Sequence, residues 1–350
     1  MINQEISADF RGYNIVLPPH LTGGRRLNVF KSMRHNILVT GSNGQLGMEI
    51  RNLALGRDVV PGREHDNTCS RIVNADDCFL FTARHEVPYM ETETLDITDL
   101  DAVREMIEVN AIDTIVNCAA YTDVEKAEGN FEEADLQNHI AVDNLAEAAR
   151  EFGITLIHIS TDYVFGGDSF KPYTELDGTR PLGVYGLTKL AGERAILDSG
   201  CDHVILRTSW LYSPYGRNFV KTMKRLTAEK DELNVVIDEI GTPTYARDLS
   251  QAIIDIIHSG KTDICSGIYN YSGEGLCSRY DLAYEVGRLC GNVCRLKPCL
   301  SVDFPTVAAR PHYSVLDKTL IKTTFDIEIP HWTESLRHCI GRMKKMQGGE

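Results

Sequence analysis

A chain of 350 residues with 43% hydrophobic and 25% charged residues has an ordinary globular composition and room for one large domain or two. It contains no run of about 18 apolar residues, which excludes a membrane-spanning helix. A formal net charge of −14 argues against a nucleic-acid partner, and an anionic ligand would need local donors such as helix N-termini.

Residues 1–32 mix apolar and polar side chains without a period and lack the apolar core of a secretory signal. They read as a flexible extension, with the first domain opening near Met33. An apolar run at 36–40 follows, then a glycine turn, then an amphipathic helix from about Met48. Gly41, Gly44 and Gly47 give G-x-x-G-x-x-G, one residue longer than the simple dinucleotide fingerprint. Glycines let the backbone approach a pyrophosphate, which then meets free N–H groups and the positive end of a helix dipole. Asn43, Gln45 and Leu46 belong to the same candidate cofactor-binding turn.

Short apolar runs at 78–83, 113–120, 155–160 and 203–210 read as buried parallel strands. Helical stretches at 99–109, 131–152 and 183–198 lie between them. Alternating strand and helix predicts an α/β fold, a Rossmann-type doubly wound parallel sheet over 33–213. The crevice of such a sheet lies at the strand ends, where Asp96, Ile97, Ala119, Ala120, Ser160 and Thr161 fall. The second strand ends in Thr82 with Arg84 just beyond, where NAD enzymes usually carry an acid for the ribose. Arginine suits a 2′-phosphate, so NADPH is expected over NADH, although a polar insertion at 56–77 separates Arg84 from the glycine turn.

"PLGVYGLTKLAGE" places Tyr185 and Lys189 four apart, on one face of a helix that follows the strand ending at Thr161. A phenol titrates too high for easy proton exchange at neutral pH, and an adjacent ammonium lowers it. Lys189 can also bind the nicotinamide ribose, and the Thr161 hydroxyl can bond the substrate oxygen. Glycine turn, strand-end threonine and Tyr-x-x-x-Lys, in this order, are far more specific together than singly.

This set resembles the extended short-chain dehydrogenase/reductases. The blocks "VTGSNGQLG", "VNCAAYTDVEKAE", "STDYVFGG", "LRTSWLYSPYGRNFVKTM", "DEIGTPTYARDL" and "PTVAARPHYSVLD" are similar to those of the dTDP-4-dehydrorhamnose reductase family, over roughly 33–343. The resemblance implies NADPH-dependent reduction of the C4 ketone of a dTDP-6-deoxy-4-hexulose to dTDP-L-rhamnose. Tyr185 would be the general acid, Lys189 would tune it and hold the cofactor, and Thr161 would polarise the ketone. By the same resemblance Thr122, Tyr163 and Trp210 would line the sugar site. Asp96, Ile97, Ala119, Ala120 and the three glycines would line the cofactor site. Related dehydratases carry an Asp-Glu pair where this chain has Asp162 and Tyr163, so elimination of water is not expected. Some relatives bind magnesium at a dimer interface through glutamates. This chain keeps Glu49 but has Arg247 at a second position, which puts the metal, and the homodimer it would bridge, in doubt.

Prolines at 214, 243, 305, 311 and 330 mark a change of character. Residues 214–350 read as a mainly substrate-binding lobe with segments crossing back to the first domain. Strands are expected at 233–238 and 267–273, and helices at 217–228, 246–259 and 278–291. Arg217, Lys221 and Arg310 are candidates for the nucleotide diphosphate. The chain's 10 cysteines include no C-x-x-C, and Cys290, Cys294 and Cys299 lack a nearby histidine to complete a zinc pattern. Reduced thiols and a cytoplasmic location are expected. The rival readings are a nucleotide-sugar epimerase of the same fold and a non-catalytic regulatory subunit. Consumption of free NADPH would count against the first, and the presence of Tyr185, Lys189 and Thr161 counts against the second.

Overall fold

A computed structural model describes residues 35–56, 77–85 and 90–348. The expected extension over 1–32 and nearly all of the polar insertion at 56–77 lie outside the described residues. The first half runs β1 (Asn36–Thr40), α1 (Gln45–Ala54), β2 (Cys78–Ala83), β3 (Glu93–Thr94), α2 (Leu100–Val109), β4 (Thr114–Asn117), α3 (Val124–Ala127), α4 (Phe131–Asp135), α5 (Ala141–Phe152), β5 (Thr155–Thr161), α6 (Val184–Ser199) and β6 (His203–Thr208). The second half adds β7 (Leu211–Tyr212), α7 (Phe219–Glu229), β8 (Glu232–Val236), β9 (Ile240–Gly241), β10 (Thr244–Tyr245), α8 (Ala246–His258), β11 (Gly267–Asn270), β12 (Cys277–Ser278), α9 (Arg279–Cys290), β13 (Arg295–Cys299), α10 (Thr319–Phe325) and α11 (Trp332–Gly348).

Seven strands form one parallel sheet in the order β11-β6-β5-β4-β1-β2-β3. The chain winds outward in both directions from β1, which is the doubly wound arrangement. Side chains alternate across the sheet, so each strand must be apolar on both faces. Ile37, Val39, Val116, Ile157 and Val204 face a core shared with α1, α8 and α10. Leu38, Ile115, Leu156 and Ile205 face a second core under α2, α5 and α6. Helix α8 alone buries Ile253, Ile254, Ile256 and Ile257, and such side chains contribute roughly 1.5–3 kcal/mol each.

The strand expected over 113–120 stops at Asn117, and that over 203–210 stops at Thr208. The residues beyond leave the sheet at the crevice. Helix α1 begins at Gln45, three residues before the expected start, directly on the glycine turn. The helix expected over 131–152 is interrupted by a π turn at Leu136–Ile140. That turn aims the buried Asn138 side chain at the Tyr121 backbone, accepting from its N–H at 2.9 Å and donating to its carbonyl at 3.1 Å. Helix α6 packs closely on this turn and on Tyr163. A Cβ on Gly186 would lie 2.3 Å from the Tyr163 carbonyl oxygen, and one on Gly192 would lie 2.2 Å from the Asn138 carbonyl oxygen.

Past Ser213 three elements return to the sheet, α8 against α1, β11 beside β6 and α10 against β11. The run expected at 267–273 is therefore a strand of the main sheet, and its last three residues fall outside it. The remaining small sheets pair β7 with β10, β9 with β12 and β8 with β13. Helices α7, α9 and α11 bury a separate core that includes Val220, Leu282, Val286, Leu336 and Ile340.

One buried ion pair locks α6 to β6. Arg207 Nη2 donates to Glu193 Oε2 at 2.6 Å, with the two side chains 3% and 1% exposed. Ser160 also donates to this carboxylate. Removing one partner leaves the other charged and dry, so Glu193→Leu should lower the unfolding free energy by about 3–5 kcal/mol in urea. A loss below about 1 kcal/mol would mean that the pair does not hold the helix.

Candidate active site

A cavity of about 910 Å³ opens along the carboxyl ends of the sheet strands. Its lining includes Gly41, Gly44, Gln45 and Leu46 from the glycine turn, and Arg84, Asp96 and Ile97 from beyond β2 and β3. Ala119, Ala120 and Thr122 follow β4, Thr161 and Tyr163 end β5, Tyr185 and Lys189 project from α6, and Trp210 follows β6. Asn43 and Gly47 are not among the lining residues. Asn43 ties the turn to the neighbouring loop through the His85 carbonyl at 3.3 Å, and Gly47 lets α1 close onto Ser42.

The turn has a steric reason for its first glycine. Gly41 has φ of +61°, and a Cβ there would lie 2.6 Å from the Ala119 nitrogen. A side chain would both strain the backbone and push the turn off the segment after β4 that forms the other wall. Gln45, at the first turn of α1, ties this wall to the second half by accepting from Asn218 at 2.8 Å.

Tyr185 lines the cavity half-buried, hydrogen-bonded with the Thr161 hydroxyl and edge-on to the Tyr163 ring at 5.6 Å between centroids. Burial holds its phenol above the ordinary range, and the Thr161 contact opposes that only in part. The expectation that Lys189 lowers this phenol is not what the free protein shows. The Lys189 amine turns instead to the Ile159 carbonyl at 2.6 Å and His158 Nε2 at 3.1 Å. Burial brings Lys189 down to about 8. Burial also pushes Asp162 up to about 6, and the Thr161 hydroxyl lies 3.2 Å from its Oδ1.

Cations also gather at the cavity, and two of them, Arg279 and Arg310, act on the Tyr163 phenol. Arg217, Arg279 and Arg310 all line it. Arg310 pairs with Glu125 at 2.5 Å, while Arg279 lies 3.5 Å above the Trp210 ring and 3.3 Å from Glu239. Lys221 is not part of this group. It donates to the carbonyls of Pro214 and Gly216 at 3.0 and 2.7 Å, which fixes the turn that presents Arg217. Sequence reading missed Arg279, Asn218, Gln137 and Asp162. Arg279 opens α9 directly after the capping Ser278, where it reads as an ordinary exposed helix residue. Arg84 sits at the far rim, half-exposed, 3.7 Å from Asp96 and 3.6 Å from Glu133.

The residues fit a dinucleotide. The turn and α1 offer free N–H groups, and Thr208 Oγ1, on the cavity lining, is buried without a hydrogen-bond partner among the described residues. The Glu49 carboxylate is fully buried and accepts from Arg342 at 2.7 and 2.9 Å, with Arg247 at 3.9 Å. Among the described residues no group of three His, Cys, Asp or Glu side chains could hold a metal ion, and Cys290, Cys294 and Cys299 are free thiols. No helix among them is long and apolar enough to cross a membrane.

Comparison with known proteins agrees with this geometry. The family model described as the RmlD substrate binding domain matches residues 33–345. A dTDP-4-dehydrorhamnose reductase of Aggregatibacter actinomycetemcomitans is 37% identical over 311 residues, 86% of this chain and 97% of that protein. The chain belongs to the dTDP-4-dehydrorhamnose reductase family. Its members are nicotinamide-dependent oxidoreductases. A crystal structure of the Clostridium acetobutylicum member is 36% identical, covers 88% of this chain and 99% of its own, and superposes with a TM-score of 0.76. That of Bacillus anthracis, in complex with NADP, is 32% identical, covers 89% of this chain and 100% of its own, and also gives 0.76.

The glycine turn provides a direct test. Gly41→Ala should weaken nicotinamide dinucleotide binding at least about tenfold and cost about 1–3 kcal/mol of stability, the scale of a residue held at an unfavourable φ. Wild-type affinity, read by fluorescence titration, would show that the turn does not need glycine there.

Proposed function

We propose that this protein transfers hydride from NADPH to the C4 ketone of dTDP-4-dehydro-L-rhamnose, giving dTDP-L-rhamnose. The observation that carries this reading is the convergence of Thr161, Tyr163 and Tyr185 on one cavity with a guanidinium cluster. A nucleotide sugar presents both a ketone and a diphosphate, and this one cavity offers both a proton donor and cations.

When bound, the cofactor supplies the hydride. The glycine turn and the N-terminus of α1 would hold its diphosphate, and Asp96, Ile97, Ala119 and Ala120 would enclose its adenosine side. Tyr185 keeps its proton at rest because burial disfavours the phenolate. It can then donate that proton to the forming alkoxide oxygen, while Thr161 orients the phenol and bonds the same oxygen. Thr122, Tyr163 and Trp210 would contact the sugar, and Arg217, Arg279 and Arg310 the nucleotide diphosphate. Tyr163 stands where an eliminating enzyme would need a carboxylate, which supports reduction. We read residues 33–213 as the cofactor part and 214–350 as mainly the substrate part, with α8, β11 and α10 crossing back. The free thiols suit a reaction in the cytoplasm. We propose no magnesium at Glu49, because a cation would have to displace two guanidinium groups.

Tyr185→Phe should leave the fold and dinucleotide binding intact and lower kcat by about 10²-fold or more, the scale of a lost general acid. Turnover near wild type would remove Tyr185 from the chemistry. Arg84→Ala should raise KM for NADPH with a loss of about 1–3 kcal/mol and leave KM for NADH nearly unchanged. Equal effects on both cofactors would make Arg84 a structural residue.

A further inference from the structure

Behind the cavity wall runs a chain of buried polar side chains that reaches Lys189 from inside the sheet. Thr40, Asn117, His158 and Lys189 are 0%, 1%, 0% and 1% exposed. The Thr40 hydroxyl donates to Asn117 Oδ1 at 2.6 Å, Asn117 Nδ2 lies 3.0 Å from His158 Nδ1, and His158 Nε2 lies 3.1 Å from Lys189 Nζ.

One backbone group fixes the direction of this chain. The Ala119 N–H meets the Asn117 amide at 3.1 Å. A backbone N–H can only donate, so the amide must present its oxygen there and its NH2 to His158. His158 Nδ1 must then accept. A neutral imidazole carries one proton, which therefore sits on Nε2, facing Lys189. An ammonium has no lone pair to receive it. A charged Lys189 would set donor against donor, whereas the free amine accepts from Nε2–H and still donates to the Ile159 carbonyl.

Burial acts in the same direction on both groups, bringing Lys189 to about 8 and holding His158 well below its ordinary value. The other titratable neighbours are Tyr185 and Glu193 on the same helix. Glu193 favours the ammonium, but its oxygens are engaged by Arg207 from β6 and Ser160 from β5.

We propose that Asn117, through the tautomer it imposes on His158, favours the uncharged amine of Lys189 in the free protein, and that Lys189 takes up a proton from solvent when the dinucleotide binds. The balance is one solvent proton added to the Lys189 lone pair as it leaves His158. Asn117 and His158 are thus positioning residues, and above about pH 8 Lys189 gains its charge beside Tyr185 only once the cavity is filled. The second half rests on the proposed role of Lys189 at the cofactor; the first depends only on the buried network.

Histidine ¹⁵N resonances of the free full-length protein at pH 8–9, with His158 assigned by its loss in His158→Gln, read the tautomer directly. The expected result is a proton on Nε2 and a bare Nδ1, and a proton on Nδ1 would overturn the network. Calorimetry of NADPH binding in buffers of different ionisation enthalpy should show uptake that approaches about one proton as pH rises through 8. No uptake would overturn the second half alone. Asn117→Asp should reverse the tautomer, since a carboxylate accepts from Nδ1–H, and should reduce the uptake toward zero. An unchanged tautomer in a folded Asn117→Asp variant would show that Asn117 does not set it.

Discussion

The crevice exists because the sheet is wound outward in both directions from β1. β1 continues into α1 on one face and its neighbour β4 continues toward α5 on the other, so the carboxyl ends between them are not covered by a shared crossover. The opening is set by the backbone before any side chain is chosen. The glycine turn then decides how close the two walls come, since Gly41 packs directly on Ala119. Helix α6 forms the next wall of the crevice. It approaches Tyr163 and Asn138 closely only because Gly186 and Gly192 carry no side chain, and that approach brings Tyr185 to Thr161.

Electrostatics divides the cavity. A chain of net charge −14 has no long-range attraction for a nucleotide sugar, so the anion must be met by groups collected locally. In the proposed function Arg217, Arg279 and Arg310, which line the cavity from three different segments, would do this. Two of them are partly neutralised by Glu239 and Glu125, which holds them in place while leaving donors free. Thr161 and Lys189 are buried by contrast. Burial there raises the Tyr185 phenol and lowers Lys189 to about 8, which keeps the acid protonated at rest.

Much of this was legible in the sequence because a parallel sheet leaves a strong signature. Strands buried on both faces appear as short apolar runs, and β1, β2, β5 and β6 lie close to where those runs place them. The four-residue spacing of Tyr185 and Lys189 survives because both lie on α6. What stayed hidden depends on contacts between distant segments. The π turn has no periodic signal, yet it aims Asn138 at the loop after β4. The four-residue β11 looks like any short apolar run, and nothing local says that it extends the main sheet. Arg279 and Lys221 exchange their expected standing, since a charge reveals its partner only when the chain is folded. The direction in which Lys189 points is likewise set by His158, thirty-one residues away and on another element.

The central claim is that this cavity reduces a 4-keto nucleotide sugar with a freely exchanging nicotinamide cofactor. The most direct measurement mixes the purified protein with enzymatically prepared dTDP-4-dehydro-L-rhamnose and NADPH, follows NADPH absorbance, and identifies the product by NMR. The account predicts one NADPH oxidised per sugar and dTDP-L-rhamnose as the product. Interconversion of the sugar without net NADPH consumption, or no reaction with this ketone while its D-configured epimer is reduced, would contradict it.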